Sequence, residues 1–179
     1  MRKLIFLILA ILPLLSCEGE GFSAENTRLI HEAEFTDGVK TSEAMYFSLT
    51  LSADDSYEVS LVSPDGSISF TSSLKKSGEK YESEALRITS YSSLPRGEYT
   101  YTVMNKRGEE IKGKVNLKYD EPLPASGLDD ETITGYRAYL GPDLIAEGHD
   151  ASALPEGADR VTLIKTDSAG NKVLTTLSI

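Results

Sequence analysis

Few side chains in this sequence are equipped for chemistry, and their spacing narrows the field further. There are two histidines, His31 and His149, and one cysteine, Cys17. His149 is followed by Asp150 and, after one more residue, by Ser152, so the residue types of base, orienter and nucleophile sit together. Neighbours along one loop do not converge in space as a catalytic triad must, and His149 reads as an exposed turn histidine. No Gly-x-Ser-x-Gly elbow, phosphate loop or His-Glu-x-x-His occurs. The sequence therefore predicts a protein that is not an enzyme, with no catalytic residue and no cofactor.

Two acidic runs could in principle hold calcium, which favours several carboxylate and carbonyl oxygens from a flexible loop. Asp54-Asp55 lies in a strand connection and Asp129-Asp130-Glu131 in a Pro/Gly-rich segment. EF-hand spacing is absent, so Asp54, Asp55, Asp129 and Asp130 are weak candidates, solvation is the simpler account, and no metal is expected. Nine tyrosines without a tryptophan suggest a stacking surface instead. Tyr46 and Tyr91 are its candidates, being out of phase with the buried face or in a loop.

The first residues are not part of the fold. Arg2 and Lys3 precede an apolar run, Leu4 to Leu15, which is shorter than the ~20 residues a spanning helix needs but suits a signal-peptide core. The run ends in Leu14-Leu15-Ser16-Cys17, which resembles the bacterial lipobox. That resemblance implies cleavage between Ser16 and Cys17, acylation of the Cys17 thiol, and anchoring to a lipid bilayer. Leu15 is bulkier than the usual occupant of its position. A lone thiol in an exporting compartment is a liability unless it is used, and acylation would use it. Two or more acyl chains hold a protein stably. Glu18 follows the cysteine, whereas the inner-membrane retention signal of such lipoproteins is Asp, so the outer membrane is favoured. Removing Arg2 and Lys3 from the 18 basic residues leaves 16 against 28 acidic ones, a net charge near −12. A chain so acidic is repelled by nucleic acid and by anionic headgroups, so nucleic acid is not an expected partner.

From Thr27 onward the hydrophobic period is two. Met45, Phe47, Leu49 and Leu51 alternate with polar residues, as do Tyr57, Val59 and Leu61, and then Tyr99, Tyr101 and Val103. Turn residues fall between: Asp37-Gly38, Pro64-Asp65-Gly66, Lys76-Ser77-Gly78, Asn105 to Gly108, and Asp167 to Asn171. The pattern predicts an all-β fold, an antiparallel immunoglobulin-like β-sandwich with an additional C-terminal β-hairpin region. The expected divisions are a leader (1–16), a lipidated tether (17–26), the sandwich (27–119), an acidic Pro/Gly linker (120–131) and a C-terminal β region (132–179) packed on the sandwich. The tether reaches at most about 30 Å. A 48-residue tail is too small to bury much surface alone.

Ser93-Leu94-Pro95-Arg96-Gly97-Glu98-Tyr99 resembles the Leu-Pro-x-Gly-x-Tyr approach to a late strand in bacterial immunoglobulin-like, fibronectin-type and transthyretin-like modules. The resemblance implies architecture, with Tyr99 burying its ring and returning its hydroxyl to the backbone as in a tyrosine corner. Ala153-Leu154-Pro155-Glu156-Gly157 echoes it, and Tyr57 to Leu61 is echoed by Tyr136 to Leu140, a faint internal repeat. The function this leads to is a membrane-anchored envelope lipoprotein, a non-catalytic binding or structural module for a protein or glycan partner. The alternative is an envelope hydrolase or hydrolase accessory subunit with an active site hidden from the sequence.

Overall fold

The computed structural model describes residues 21–89, 92–151 and 154–179. Ser16, Cys17, Tyr91 and Ser152 lie outside the described residues, as does the leader. The fold is all-β. It begins with a long hairpin of β1 (Ala24–Thr36) and β2 (Val39–Leu51). Asp37 and Gly38 both have left-handed φ, 48° and 79°, which lets a two-residue turn match the twist of its strands. Then come β3 (Tyr57–Val62), β4 (Ser69–Ser77), β5 (Lys80–Glu82), β6 (Leu86–Thr89), β7 (Gly97–Asn105) and β8 (Glu110–Leu117). The last four strands are β9 (Gly135–Leu140), β10 (Asp143–Gly148), β11 (Arg160–Thr166) and β12 (Lys172–Ser178).

Strands β3 to β8 and the hairpin make a sandwich. One layer is β1, β2, β5 and β6; the other runs β4-β3-β7-β8. β4 joins them, pairing with β3 through Ser69–Leu74 and with β5 through Lys75–Ser77. Between the layers lie the alternating residues read from the sequence: Met45, Phe47, Leu49 and Leu51 against Tyr57, Val59, Leu61, Tyr99 and Val103. Tyr99 is wholly buried, yet among the described residues its hydroxyl has no hydrogen-bond partner. The expected return to the backbone is made by Tyr57 instead, whose hydroxyl donates to the Ala53 carbonyl at 2.9 Å.

The remaining strands extend the same sheet in the order β10-β9-β11-β12-β1. β12 lies parallel to β1, from Glu32↔Lys172 to Thr36↔Thr176, so the sheet is mixed and not purely antiparallel. The cause is chain direction: β12 leaves its hairpin with β11 running the same way as β1 and meets β1's free edge. Within this second set the order β10-β9-β11-β12 reproduces β4-β3-β7-β8 strand for strand. Their hairpin turns match as well. Asn105 Oδ1 accepts the N–H groups of Arg107 and Glu109, and Asp167 Oδ1 accepts those of Ala169 and Asn171.

Among the described residues no sheet faces the second set. Its small core, Tyr136, Ala138, Val161 and Leu163, is covered by Ala125 and Ala151 from the connecting segments. The Ala125 N–H donates to the buried Thr175 hydroxyl at 2.8 Å, which fixes residues 120–131 against β12. The acidic segment thus supplies a layer of that core as well as a connection.

Candidate functional site

A network of buried polar side chains lies where the two strand sets meet, and a single extra residue creates it. In the β1–β2 hairpin Phe35 pairs with Lys40 but Glu34 with Ser42, so Thr41 is a bulge. A one-residue shift moves every later side chain to the other face. Beyond the bulge, Glu43 and Met45 stand opposite Ala33 and His31, and Glu43 points into the core.

Glu43 and His31 side chains are each 2% exposed. Glu43 Oε1 accepts Lys40 Nζ at 2.7 Å, and Oε2 accepts the Leu94 N–H at 3.0 Å. His31 Nε2 stands 3.5 Å from Glu43 Oε2, within ion-pair reach but without a well-formed hydrogen bond. The imidazole stacks on Tyr119, ring centroids 3.6 Å apart and planes 2° from parallel. The Arg96 guanidinium sits 4.3 Å from the Tyr119 ring centroid and also meets Glu121 at 3.0 Å. Tyr119 donates to the Leu94 carbonyl at 3.0 Å. Asn171 ties in the second strand set: its Oδ1 accepts the His31 N–H, and its Nδ2 donates to the Lys118 carbonyl and to Asp167 Oδ2.

Burial lowers the affinity of His31 for a proton, and that outweighs the opposing pull of Glu43. For Glu43, burial works to raise the carboxyl pKa, but the Lys40 hydrogen bond, the Leu94 N–H and nearby positive charge bring it below its ordinary value. The pair is therefore a neutral imidazole beside a carboxylate.

Two clefts flank Tyr119 and Asn171. One, of about 470 Å³, is lined by Arg96, Asn116, Tyr119, Asp120 and Asp167. The other, of about 320 Å³, is lined by His31, Pro122, Thr132, Lys165 and Lys172. A base and an imidazole are present, but Glu43 is occupied by Lys40 and Leu94, and both faces of the Tyr119 ring are taken by His31 and Arg96. The arrangement suits joining two layers better than reaching a bound substrate.

The residues singled out in the sequence are scattered. His149 is exposed, with Nδ1 2.9 Å from the Thr134 carbonyl. Asp54 binds Lys76 at 2.6 Å and accepts the Tyr81 hydroxyl at 2.6 Å, which lowers its pKa. Asp55 accepts the Ser56 N–H. Asp130 accepts the N–H groups of Ser126 and Thr132 and the Thr132 hydroxyl, and its carboxyl is held well below the usual range; Asp129 is exposed beside it. Among the described residues no group of three or more His, Cys, Asp and Glu side chains is placed to hold a metal ion. Tyr46 is half-buried and donates to Glu32 Oε1 at 3.0 Å; burial and that carboxylate raise its pKa to about 12. The seam residues Glu43, Tyr119 and Asn171 carried no signal in the sequence, because the bulge and the β1–β12 pairing bring them together.

No protein-family model and no curated protein matches the chain. Among solved structures it is similar to a module-sized part of a chitinase from Paenibacillus sp. str. FPU-7, described as a bacterial cell-surface-expressed multi-modular enzyme. Identity is 17%, the TM-score is 0.28, and the match covers 63% of this chain and 10% of that one. The chain thus spans about a tenth of that enzyme, and a likeness of this degree carries no argument about function.

Proposed function

We propose that the chain is a lipid-anchored, non-catalytic module of the bacterial cell envelope that binds a protein or glycan partner through its sheet edges and loops. One observation carries the non-catalytic part: the best-equipped acid–base pair, His31 and Glu43, is sealed in the seam and consumed by contacts within the chain. The lipobox-like Leu14-Leu15-Ser16-Cys17 supports the anchor through Cys17, and Glu18 after it, in place of the Asp of the retention signal, supports the outer membrane.

The hydrolase alternative has one observation in its favour, which is that His31 borders a cleft of about 320 Å³ while standing beside Glu43. Incubating the purified mature chain with insoluble peptidoglycan, soluble glycans and generic ester substrates separates the two readings. Binding without turnover is the expected result. Turnover that disappears in Glu43→Gln would assign the seam a catalytic role and overturn the proposal.

A further inference from the structure

The β1–β2 hairpin has a second irregularity, at its open end. Glu25 pairs with Thr50 but Arg28 with Ser48, so β1 gains one residue on β2 there. Asn26, within that extra length, takes a left-handed φ of 51°, a conformation asparagine tolerates better than most residues with a side chain. Asn26, Thr27 and Arg28 line one side of a cleft of about 420 Å³, which Thr50 of β2 and Lys80 of β5 complete. Among the described residues no carboxylate lines it, whereas Asp120 and Asp167 line the cleft at Arg96 and Tyr119.

The cations of this cleft stand apart from their neighbours. Lys75 and Lys76, on the same β4–β5 hairpin as Lys80, are each held by a carboxylate, that of Glu84 at 2.9 Å and that of Asp54 at 2.6 Å. Among the described residues Arg28 and Lys80 have no ion-pair partner and no side-chain hydrogen bond. Glu25 and Glu82 flank the cleft along the chain, but neither pairs with Arg28 or Lys80. The Asn26 amide donates to Thr50 Oγ1 at 3.5 Å, which leaves the Thr50 hydroxyl hydrogen to donate elsewhere. Arg28 Nη1 stands 3.9 Å from the place a Cβ would take on Gly170, so the guanidinium reaches the β11–β12 turn. The walls thus offer a planar guanidinium, an ammonium and hydroxyl donors, a set that suits a compact anion with several oxygens.

We propose that this cleft binds a phosphate monoester group, with Arg28 gripping two of its oxygens, Lys80 meeting its second charge, and the Thr27 and Thr50 hydroxyls donating to the rest. A dianion matches two unpaired cations better than the single charge of a carboxylate or a phosphodiester. The net negative charge of the chain, with Glu25 and Glu82 close by, disfavours contact with a broad anionic surface and leaves the site to one such group at a time. Asn26 follows Cys17 by nine residues (17 to 26), a reach of at most about 30 Å, so in an anchored chain the cleft lies close to the bilayer. Its phosphate then comes from a lipid headgroup or from a soluble molecule at that surface. This deepens the reading of the chain as a binding module; the site itself does not depend on the anchor, since it is measured on soluble protein.

The test uses the mature chain with Cys17→Ser, titrated at fixed ionic strength with methyl phosphate and, separately, with dimethyl phosphate, at about pH 7.5, where the monoester is a dianion. Amide shifts at Asn26, Thr27, Arg28, Thr50 and Lys80 should saturate with methyl phosphate, which should bind about tenfold tighter than the diester. Arg28→Gln and Lys80→Gln, neither in a buried position, should each weaken binding about tenfold. Lys172→Gln, which removes an exposed cation beside the cleft at His31, should leave it unchanged. Shifts that do not saturate or that map elsewhere, equal binding of the two esters, or binding that survives Arg28→Gln and Lys80→Gln would overturn the proposal. Phosphatidylcholine vesicles carrying phosphatidic acid then distinguish the sources. Co-sedimentation that both substitutions abolish assigns the phosphate to a lipid headgroup, and methyl phosphate binding without co-sedimentation assigns it to a soluble molecule. If methyl phosphate binds as stated but the wild-type chain proves unanchored in cells, the proposed function fails while the site stands.

Discussion

Replacing Glu43 tests whether the seam holds the fold as its geometry indicates. Glu43→Ala removes the acceptor of the Leu94 N–H, and Leu94 is itself buried. Leaving a buried donor unpaired costs about 1–3 kcal/mol, and truncating a packed side chain adds to that. Lys40 keeps partial access to solvent, so its loss of a partner adds little. The expected cost is about 2–4 kcal/mol at pH 7. Glu43→Gln keeps an acceptor for Leu94 and loses only the charge, for about 1 kcal/mol. The pH dependence fixes the mechanism. The folded-state pKa of Glu43 lies below its unfolded value near 4.5, so its contribution is present above pH 4.5 and fades as pH falls through the folded value. The advantage of wild type over Glu43→Gln in urea titrations should therefore shrink below about pH 4.5. Buried neutral His31 acts earlier: its pKa is lowered from 6.5, so the unfolded chain takes up a proton first and stability begins to fall as pH drops below 6.5. Equal stability of wild type and both Glu43 variants at pH 7, or a Gln difference that persists unchanged at pH 3, would refute the account.

Further expectations follow from the two cores and the leader. Tyr99→Ala should cost about 3–5 kcal/mol, whereas Tyr99→Phe should be neutral or stabilising because the hydroxyl it removes is buried without a partner; a Phe variant weaker by over about 1 kcal/mol in denaturant would reveal a hidden bond. The fragment 132–179 should be unfolded or aggregated by circular dichroism, since it lacks both Ala125 and the β1 edge; a cooperative melt from a monomer would count against this. Thr175→Val should cost about 1–3 kcal/mol by stranding the Ala125 N–H, read by the same titration. Cys17→Ser should stop partitioning into detergent, and normal partitioning would remove the anchor from the proposal.

Much of the strand pattern was legible in the sequence, because a half-buried strand writes its period directly. Met45 to Leu51 and Tyr57 to Leu61 face the core as their alternation predicts, and Asp37-Gly38 closes the hairpin its residue types demand. The seam was not legible. A two-residue turn at Asp37-Gly38 with regular pairing puts His31 and Glu43 on opposite faces, and only the bulge at Thr41 brings them to one. Nor does composition reveal that the acidic segment 120–131 covers a core, since what matters there is one alanine and one backbone N–H. The faint Leu-Pro repeat did carry information: its two copies precede β7 and β11, which hold equivalent places in the two strand sets.

Crosslinking in intact cells followed by capture of the tagged wild-type chain tests the central claim, that an anchored module binds an envelope partner. The account predicts a discrete partner, recovered from the outer-membrane fraction and reduced when Cys17→Ser releases the chain from the bilayer. Recovery of the chain alone, or an undiminished partner with the unanchored variant, would contradict it.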